Sequence, residues 1–517
     1  MSTKTIELQE RTEGKSLYSY QKGAIDKIFK CFEEAEEDYH LLYQLPTGGG
    51  KTVIFSEIVR QYLKTHKKQV LVMTHRIELC RQTSRMLTEF GVSNKIVDSK
   101  ADLSDQKDFN CFVAMVETLN NRLTDNKLDI SDIGLVIIDE AHYNSFTKLF
   151  KFFEKSFILG VTATPLSSNI NLPMKDNYNE LIVGETIHSL IANEFLARAE
   201  IFSYNVGLTS LVVGANGDYT VKSSEDLYTN TDMLTKLIQA YEERCKGKKT
   251  LIFNNGINTS LHVYDTFKRG GYPVAHLDNN NTKKERKAIL KWFKETPDAI
   301  LTSVSILTTG FDEPTVDCIM LNRATKSLTL YYQMIGRGSR ILKDKNKFVV
   351  IDLGNNLHRF GPWGNDLDWH KIFRSPNYYL DGILSDEELE NNFRYEMPEE
   401  LREKFAKSEQ VYFDIKKCYI DSIRAGESSK VVLERSIIHH AHICTENSED
   451  LWDALGLVKL LGDDIDYRIS RYTKCISKST FNFVEWLKDD YRKKLNAFLR
   501  TNFDEIFEEI NGFPPEE

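Results

Sequence analysis

Gln44-Leu45-Pro46-Thr47-Gly48-Gly49-Gly50-Lys51-Thr52 stands between an apolar run, His40–Gln44, and an amphipathic stretch, Ile54–Lys64. Three consecutive glycines leave the backbone N–H groups free of Cβ obstruction, so they can turn toward an anion. Lys51 supplies a cation for the β- and γ-phosphates, and Thr52 a hydroxyl for Mg²⁺. The first glycine usual in such a loop, five residues before Gly50, is replaced here by Leu45. Strand, glycine loop and helix in that order open a doubly wound α/β domain.

The same alternation continues outward. Gln69–Thr74, Phe112–Met115, Leu135–Asp139 and Phe157–Thr162 are apolar through their length, as strands buried on both faces of a parallel sheet must be. The run Leu135-Val136-Ile137-Ile138 ends in Asp139-Glu140. Ligands of open α/β sheets sit beyond the strand C-termini, where both the glycine loop and these acids fall. Asp139 can hold Mg²⁺ and Glu140 can orient and deprotonate a water.

The pattern restarts near residue 231, with strand candidates Thr250–Asn254, Val274–Leu277, Ile300–Ser303, Cys318–Leu321 and Phe348–Asp352. From 371 it stops, and Leu, Phe, Trp and Ile take helical spacing in Glu387–Phe405, Leu451–Leu461 and Phe481–Phe498. The expected organisation is an α/β domain over 1–195, a linker over 196–230 containing Gly-Ala-Asn-Gly, a second α/β domain over 231–370, and a mostly helical region over 371–517.

Composition narrows the function classes. The 517 residues are 28% charged and 41% hydrophobic, as in an ordinary globular chain of about three domains. No apolar run reaches membrane-spanning length and the N-terminus lacks a signal-peptide core, so a cytosolic location is expected. The eight cysteines are scattered and read as free thiols. The net charge is -9, and residues 371–517, with 21 Lys+Arg against 30 Asp+Glu, carry all of it. Wholesale coating of nucleic acid is disfavoured, but a local basic groove is not.

Asp139-Glu140-Ala141-His142 spells a DEAH box. With the glycine loop it makes residues 15–360 resemble the superfamily 2 helicases and translocases. Gly160-Val161-Thr162-Ala163-Thr164-Pro165 is similar to that family's third motif. Leu307-Thr308-Thr309-Gly310-Phe311-Asp312-Glu313-Pro314 is similar to its fifth, and Gln333-Met334-Ile335-Gly336-Arg337-Gly338-Ser339-Arg340 to its sixth. The end of the second domain, Phe348–Asn356 and His358–Pro362, resembles the RadD-type repair helicases, close relatives of the type I and III restriction translocases.

The resemblance implies two RecA-like domains with ATP and Mg²⁺ between them. Thr47, Gly48, Gly49, Gly50, Lys51 and Thr52 would cradle the phosphates, and Thr52 and Asp139 would hold Mg²⁺. Tyr18 and Gln21 would meet the adenine, although the family often has Arg where Tyr18 stands. Gly310 and Asp312 would lie near the nucleotide, Asp312 by the ribose. Glu140 and Gln333 would manage the water, and Arg337 and Arg340 would act as arginine fingers, an effect worth ~10³–10⁵ in rate. Thr74, His75, Arg76, Thr118, Asn254 and Thr308 would contact the nucleic-acid backbone, with DNA as the expected partner.

Other readings stay open: an ATPase that remodels or anneals, an RNA helicase, or a DNA-sensing non-motor subunit. In the C-terminal region, His439, His440, His442 and Cys444 would point to different faces of a helix, so a satisfied or surface cluster is preferred to a metal site. Arg468, Arg471, Tyr472, Lys474 and Lys478 form a basic and aromatic stretch. A second comprises Tyr491, Arg492, Lys493, Lys494, Phe498 and Arg500. Both are read as solvated helix faces ahead of a nucleic-acid or protein-partner surface.

Overall fold

The computed structural model describes residues 17–35, 38–98, 108–125, 130–167, 172–204, 206–208, 210–304, 307, 311–381, 383, 386, 397–476 and 481–511. Two parallel sheets lie in one compact unit that runs to Asn392. The first has seven strands in the order β3-β4-β2-β5-β6-β1-β7. They are β1 (His40–Gln44), β2 (Gln69–Thr74), β3 (Asn94–Val97), β4 (Cys111–Met115), β5 (Ile133–Asp139), β6 (Phe157–Thr162) and β7 (Glu180–Val183). The second has six in the order β10-β11-β9-β12-β13-β8. They are β8 (Arg198–Ser203), β9 (Thr250–Asn254), β10 (Val274–Leu277), β11 (Ile300–Ser303), β12 (Cys318–Asn322) and β13 (Lys347–Asp352). Every strand pair is parallel, and helices on the crossovers cover both faces.

β2 and β5 are buried at every residue, which is why they read as unbroken apolar runs. β3, β7 and β8 have no such signature, because each is an edge strand and mostly half-buried. The expected linker is therefore corrected. Arg198–Ser203 pairs with β13 as the edge of the second sheet, and Val221–Tyr228 is a helix. Between them the 214–217 turn is closed by an antiparallel bridge from Val213 to Tyr219.

The boundary at 371 also moves. Helix Trp369–Arg374 packs on β7, with Trp369 edge-on to Tyr332 at 6.0 Å, so this segment ties the end of the second domain back to the first. Cys245 and Cys318, separated by 73 residues, are joined as a disulfide, which corrects the free-thiol reading for that pair. The end of helix Thr231–Arg244 meets the start of β12 there, a proximity invisible to spacing in sequence.

Residues 393–517 form a separate unit. Helices Ile415–Arg424, Lys430–Glu446, Leu451–Leu460, Gly462–Cys475 and Phe481–Asn511 enclose their own core, which includes Val432, Ala441, Ile465, Ile469, Leu495 and Leu499. Among the described residues no helix is long and apolar enough to cross a membrane.

Candidate active site at the seam of two domains

The glycine loop leaves β1 and enters helix Lys51–Thr65 through Gly50, whose φ is 89°; Gly48 has φ 96°. Both are left-handed conformations natural to glycine. The loop is packed closely. A Cβ on Gly50 would stand 2.5 Å from Gln21 Nε2, and one on Gly48 would stand 2.7 Å from Arg340 Nη1. One on Gly336 would stand 2.7 Å from Thr47 Cβ. The turn that follows helix Leu328–Ile335 and carries both arginines therefore lies on Thr47-Gly48.

Lys51 is buried and donates from Nζ to the Leu45 carbonyl at 3.3 Å. Burial lowers its pKa; Glu140 and Asp139 oppose that, while Arg337 and Arg340 add to it. At the end of β5, burial and then the Glu140 carboxylate push Asp139 up, against the pull of Lys51. Burial also works against an ionised Glu140. Lys51, His142 and Arg337 outweigh it, and the Glu140 carboxyl sits below the ordinary range. Arg337 is lowered to about 10 by burial and then by Arg340. Lys51, Arg337 and Arg340 thus face Asp139 and Glu140, with Asp312 held on Arg340, and this concentration of cations in a low-dielectric cleft suits a phosphate chain.

Oε2 of Glu140 is buried without a hydrogen-bond partner. This free oxygen, the carboxyl of Asp139 and the glycine loop beside Lys51 are a donor set that fits Mg²⁺ and a nucleotide phosphate chain. Glu140 also has a φ of 56°, unusual for a residue with a side chain. The turn is held by Ala141 N donating to Val161 O at 3.0 Å and Tyr143 N donating to Glu140 O at 3.2 Å.

His142 joins the domains. Burial lowers it to about 4, so the ring is neutral. Thr162 Oγ1 donates to Thr164 O at 3.0 Å, which makes it an acceptor toward His142 Nδ1, also at 3.0 Å. His142 Nε2 then accepts from Gln333 Nε2 at 3.4 Å across the seam. Thr164 Oγ1 donates to Thr329 Oγ1 at 2.9 Å nearby. The closed seam thus brings Lys51, Glu140, Gln333, Arg337 and Arg340 together, with Thr47, Gly48, Gly49, Gly50, Thr52 and Asp139 on the first-domain side.

On the other side of the loop, Tyr20 OH donates to Gly49 O at 2.7 Å, and Gln21 Oε1 accepts from Tyr18 N at 3.0 Å. Tyr18, 46% exposed, and Tyr20 pack on Phe195 with ring centroids 4.4 and 5.1 Å away. Phe195 belongs to no motif, so sequence reading missed it; Tyr20 lies between the two expected adenine contacts, Tyr18 and Gln21, and was given no role. Asp312, expected at a ribose, accepts from Arg340 Nε at 2.8 Å.

Among the residues expected at nucleic acid, two have buried side chains. Thr74 is fully buried, with Oγ1 donating to Arg76 O at 3.1 Å. Asn254 is fully buried between Thr302 Oγ1 and Asn322 Nδ2, each at 2.8 Å. Both end central strands; Thr74 is held by the segment that follows it and Asn254 by the ends of the two neighbouring strands. His75 is half-buried and stacks on Tyr143, while Arg76 and Thr118 are half-buried. Thr308 and Gly310 lie outside the described residues.

In the helical unit the histidines point apart. His440 is buried between Asp464 Oδ2 at 2.8 Å and Tyr491 OH at 2.9 Å, His439 faces Arg468, and His442 is exposed beside Glu446. Among the described residues, no group of three or more His, Cys, Asp or Glu could hold a metal ion. Arg468, Tyr472 and Tyr491 are core residues, which corrects their reading as a solvated face, and Lys478 lies outside the described residues. Lys493, Lys494, Phe498 and Arg500 are exposed.

Comparison with known proteins gives two family matches: "Type III restriction enzyme, res subunit" over residues 14–167 and "Helicase conserved C-terminal domain" over 230–342. A "51.5 kDa protein" of a Lactococcus phage (isolate 7-9) is 29% identical over 338 residues, 64% of this chain and 69% of that one. The "Putative ATP-dependent helicase IRC3" of Saccharomyces cerevisiae is 28% identical over 356 residues, 65% of this chain and 51% of that one. Among solved structures, a fragment of a "putative HsdR subunit of a type I restriction enzyme" from Vibrio vulnificus YJ016 shares the fold, with TM-score 0.53 and 22% identity. That match covers 68% of this chain and 66% of the fragment. The chain thus spans about half of the yeast protein and about two-thirds of the other two.

Proposed function

Because the chain belongs to the superfamily 2 helicases and translocases, nucleic-acid-dependent ATPases, on the branch of the type I and III restriction translocases, we propose that it is an ATP-driven DNA translocase or helicase. The observation that carries this reading is the convergence of Lys51 and Glu140 from one domain with Gln333, Arg337 and Arg340 from the other, Arg340 lying against Gly48. Bound ATP and Mg²⁺ supply the phosphoryl chemistry. Thr52 and Asp139 would hold the cation, Lys51 would neutralise the phosphates, and Glu140 would take the proton of the attacking water. Arg337 and Arg340 would neutralise charge on the phosphoryl group only while the domains are closed. Opening and closing would then move one backbone grip relative to the other.

DNA is favoured over RNA because the match over 14–167 is to a restriction-enzyme family. A cytosolic location and a protein partner for the C-terminal region belong to the same proposal.

Lys51→Ala should abolish ATP turnover. Glu140→Gln should retain ATP and DNA binding but stall hydrolysis. Unchanged ATPase in both variants would refute the assignment. Stimulation of the ATPase by duplex DNA, single strands and RNA, compared side by side, tests the substrate. A strand-displacement assay beside a triplex-displacement assay separates unwinding from translocation.

A further inference from the structure

Tyr143 follows the DEAH box directly, and neither a motif nor the mechanism above uses its side chain. Its ring lies between those of His75 and His142, with centroid separations of 4.3 and 4.4 Å and tilts of 36° and 37°. We propose that Tyr143 couples the His75-Arg76 loop to the catalytic turn at Glu140, so that nucleic acid bound at that loop sets the ATPase rate. This rests on the proposed function and on the expectation, drawn from the sequence, that His75 and Arg76 contact the nucleic-acid backbone.

Four observations carry it. First, His75 is held by packing alone: both ring nitrogens are buried without a hydrogen-bond partner. A ring fixed by stacking shifts when its own loop shifts, because no directional bond resists. Second, the backbone N–H of Tyr143 closes the turn on the Glu140 carbonyl at 3.2 Å, and Glu140 holds a left-handed φ of 56° there. Such a conformation persists only where its surroundings impose it, so a displaced Tyr143 lets the turn relax.

Third, the far end of the row of rings is hydrogen-bonded on both sides. His142 is bonded to Thr162 and Gln333, and its Nδ1 lies 3.5 Å from Glu140 Oε2. Movement entering at His75 therefore reaches the carboxylate and the second domain through one ring. Fourth, the Tyr143 phenol lies within the fields of both ends. Burial and then Glu140 raise its pKa, while Arg76 lowers it. The coupling needs the ring and not the hydroxyl, for which no hydrogen bond to the relay is seen.

The test measures steady-state ATPase of the full chain with and without duplex DNA for wild type, Tyr143→Leu, Tyr143→Met and Tyr143→Phe. DNA affinity by fluorescence anisotropy and thermal midpoints are measured alongside. The expected result is a basal rate and a DNA affinity within about twofold of wild type in every variant. The ratio of stimulated to basal rate should fall by about fivefold or more in the Leu and Met variants, the scale of a typical coupling energy, and stay at the wild-type value in Tyr143→Phe.

Wild-type stimulation in the folded Leu or Met variant overturns the coupling. So does a loss of stimulation that merely tracks lost DNA affinity, or an equal fall in basal and stimulated rates. If wild type itself responds to neither DNA nor RNA, the proposed function fails first, and that result is distinct from a stimulated wild type with an unaffected Tyr143→Leu.

Discussion

Gly48 shows how little room separates the two domains. Its φ of 96° excludes side chains at modest cost, and a Cβ would stand 2.7 Å from both Arg340 Nη1 and Leu196 Cδ2. Gly48→Ala should destabilise the chain by about 1–2 kcal/mol from the backbone alone. It should also push Arg340 off the loop, so ATP turnover should fall by more than the stability loss explains. ATPase kinetics beside a thermal melt would check this; a stable variant with unchanged turnover would mean that the loop yields and Arg340 is not needed there. Residue identity singled out the glycines, Lys51, Asp139, Glu140 and the two arginines as candidates, because phosphate chemistry admits few substitutes, and the fold brings them to one seam. Phe195 was not legible as a neighbour of the loop, nor Tyr143 as a ring between two histidines. An aromatic side chain serves any core, and only its neighbours make it part of a site.

Among the elements, the hairpin before helix Val221–Tyr228 has a use that its glycines hid. Asp218 Oδ2 accepts from Thr325 Oγ1 at 2.7 Å, and Oδ1 accepts from Lys326 N at 2.8 Å. That turn leads into helix Leu328–Ile335, capped by Ser327, which carries Gln333 and ends at the arginines. Asp218 thus positions the sixth motif without touching the nucleotide site. Asp218→Ala should lower kcat by about 10- to 100-fold, the usual cost of misplacing catalytic groups by about an ångström, with KM for ATP little changed. Asp218→Asn, which keeps an acceptor oxygen, should recover part of it. A rise in KM at constant kcat would assign Asp218 to the loop alone. Strands tell a parallel story. The central ones matched their apolar runs almost to the residue. Of the four edge strands only β10 was found, while β3, β7 and β8 escaped, because an edge strand needs no continuous apolar sequence.

At the scale of the whole molecule, the helical unit should lose stability in acid. In residues 393–517, burial lowers His440 to about 3, although Asp464 at 2.8 Å favours its charged form. Arg468, also 2.8 Å from Asp464, opposes a second positive charge there. The unfolded chain takes a proton on this histidine below about 6.5, and the folded chain does not until far lower. The stabilisation is therefore complete above pH 6.5 and drains away as pH falls toward 3, by about 1.4 kcal/mol per pH unit from this one group. Hydrogen exchange in helix Lys430–Glu446 should accelerate between pH 7 and 5, after correction for intrinsic rates. His440→Gln should flatten that dependence. A wild-type profile that is flat over the same range would show that the ring protonates within the folded bundle.

Two parallel-sheet domains were readable in the chain, and so were the glycine loop, the acids at the end of β5 and the paired arginines as candidates for one site. Each is encoded locally, by an unbroken apolar run or by residues a few positions apart whose chemistry has no equivalent. Only the tertiary structure decided that Arg198–Ser203 completes the second sheet, that Cys245 meets Cys318, that Thr74 and Asn254 are sealed inside, and that His75, Tyr143, His142 and Gln333 form one line across the cleft. Those facts depend on contacts between segments tens to hundreds of residues apart. Local pattern carries no record of which distant side chain will pack against it.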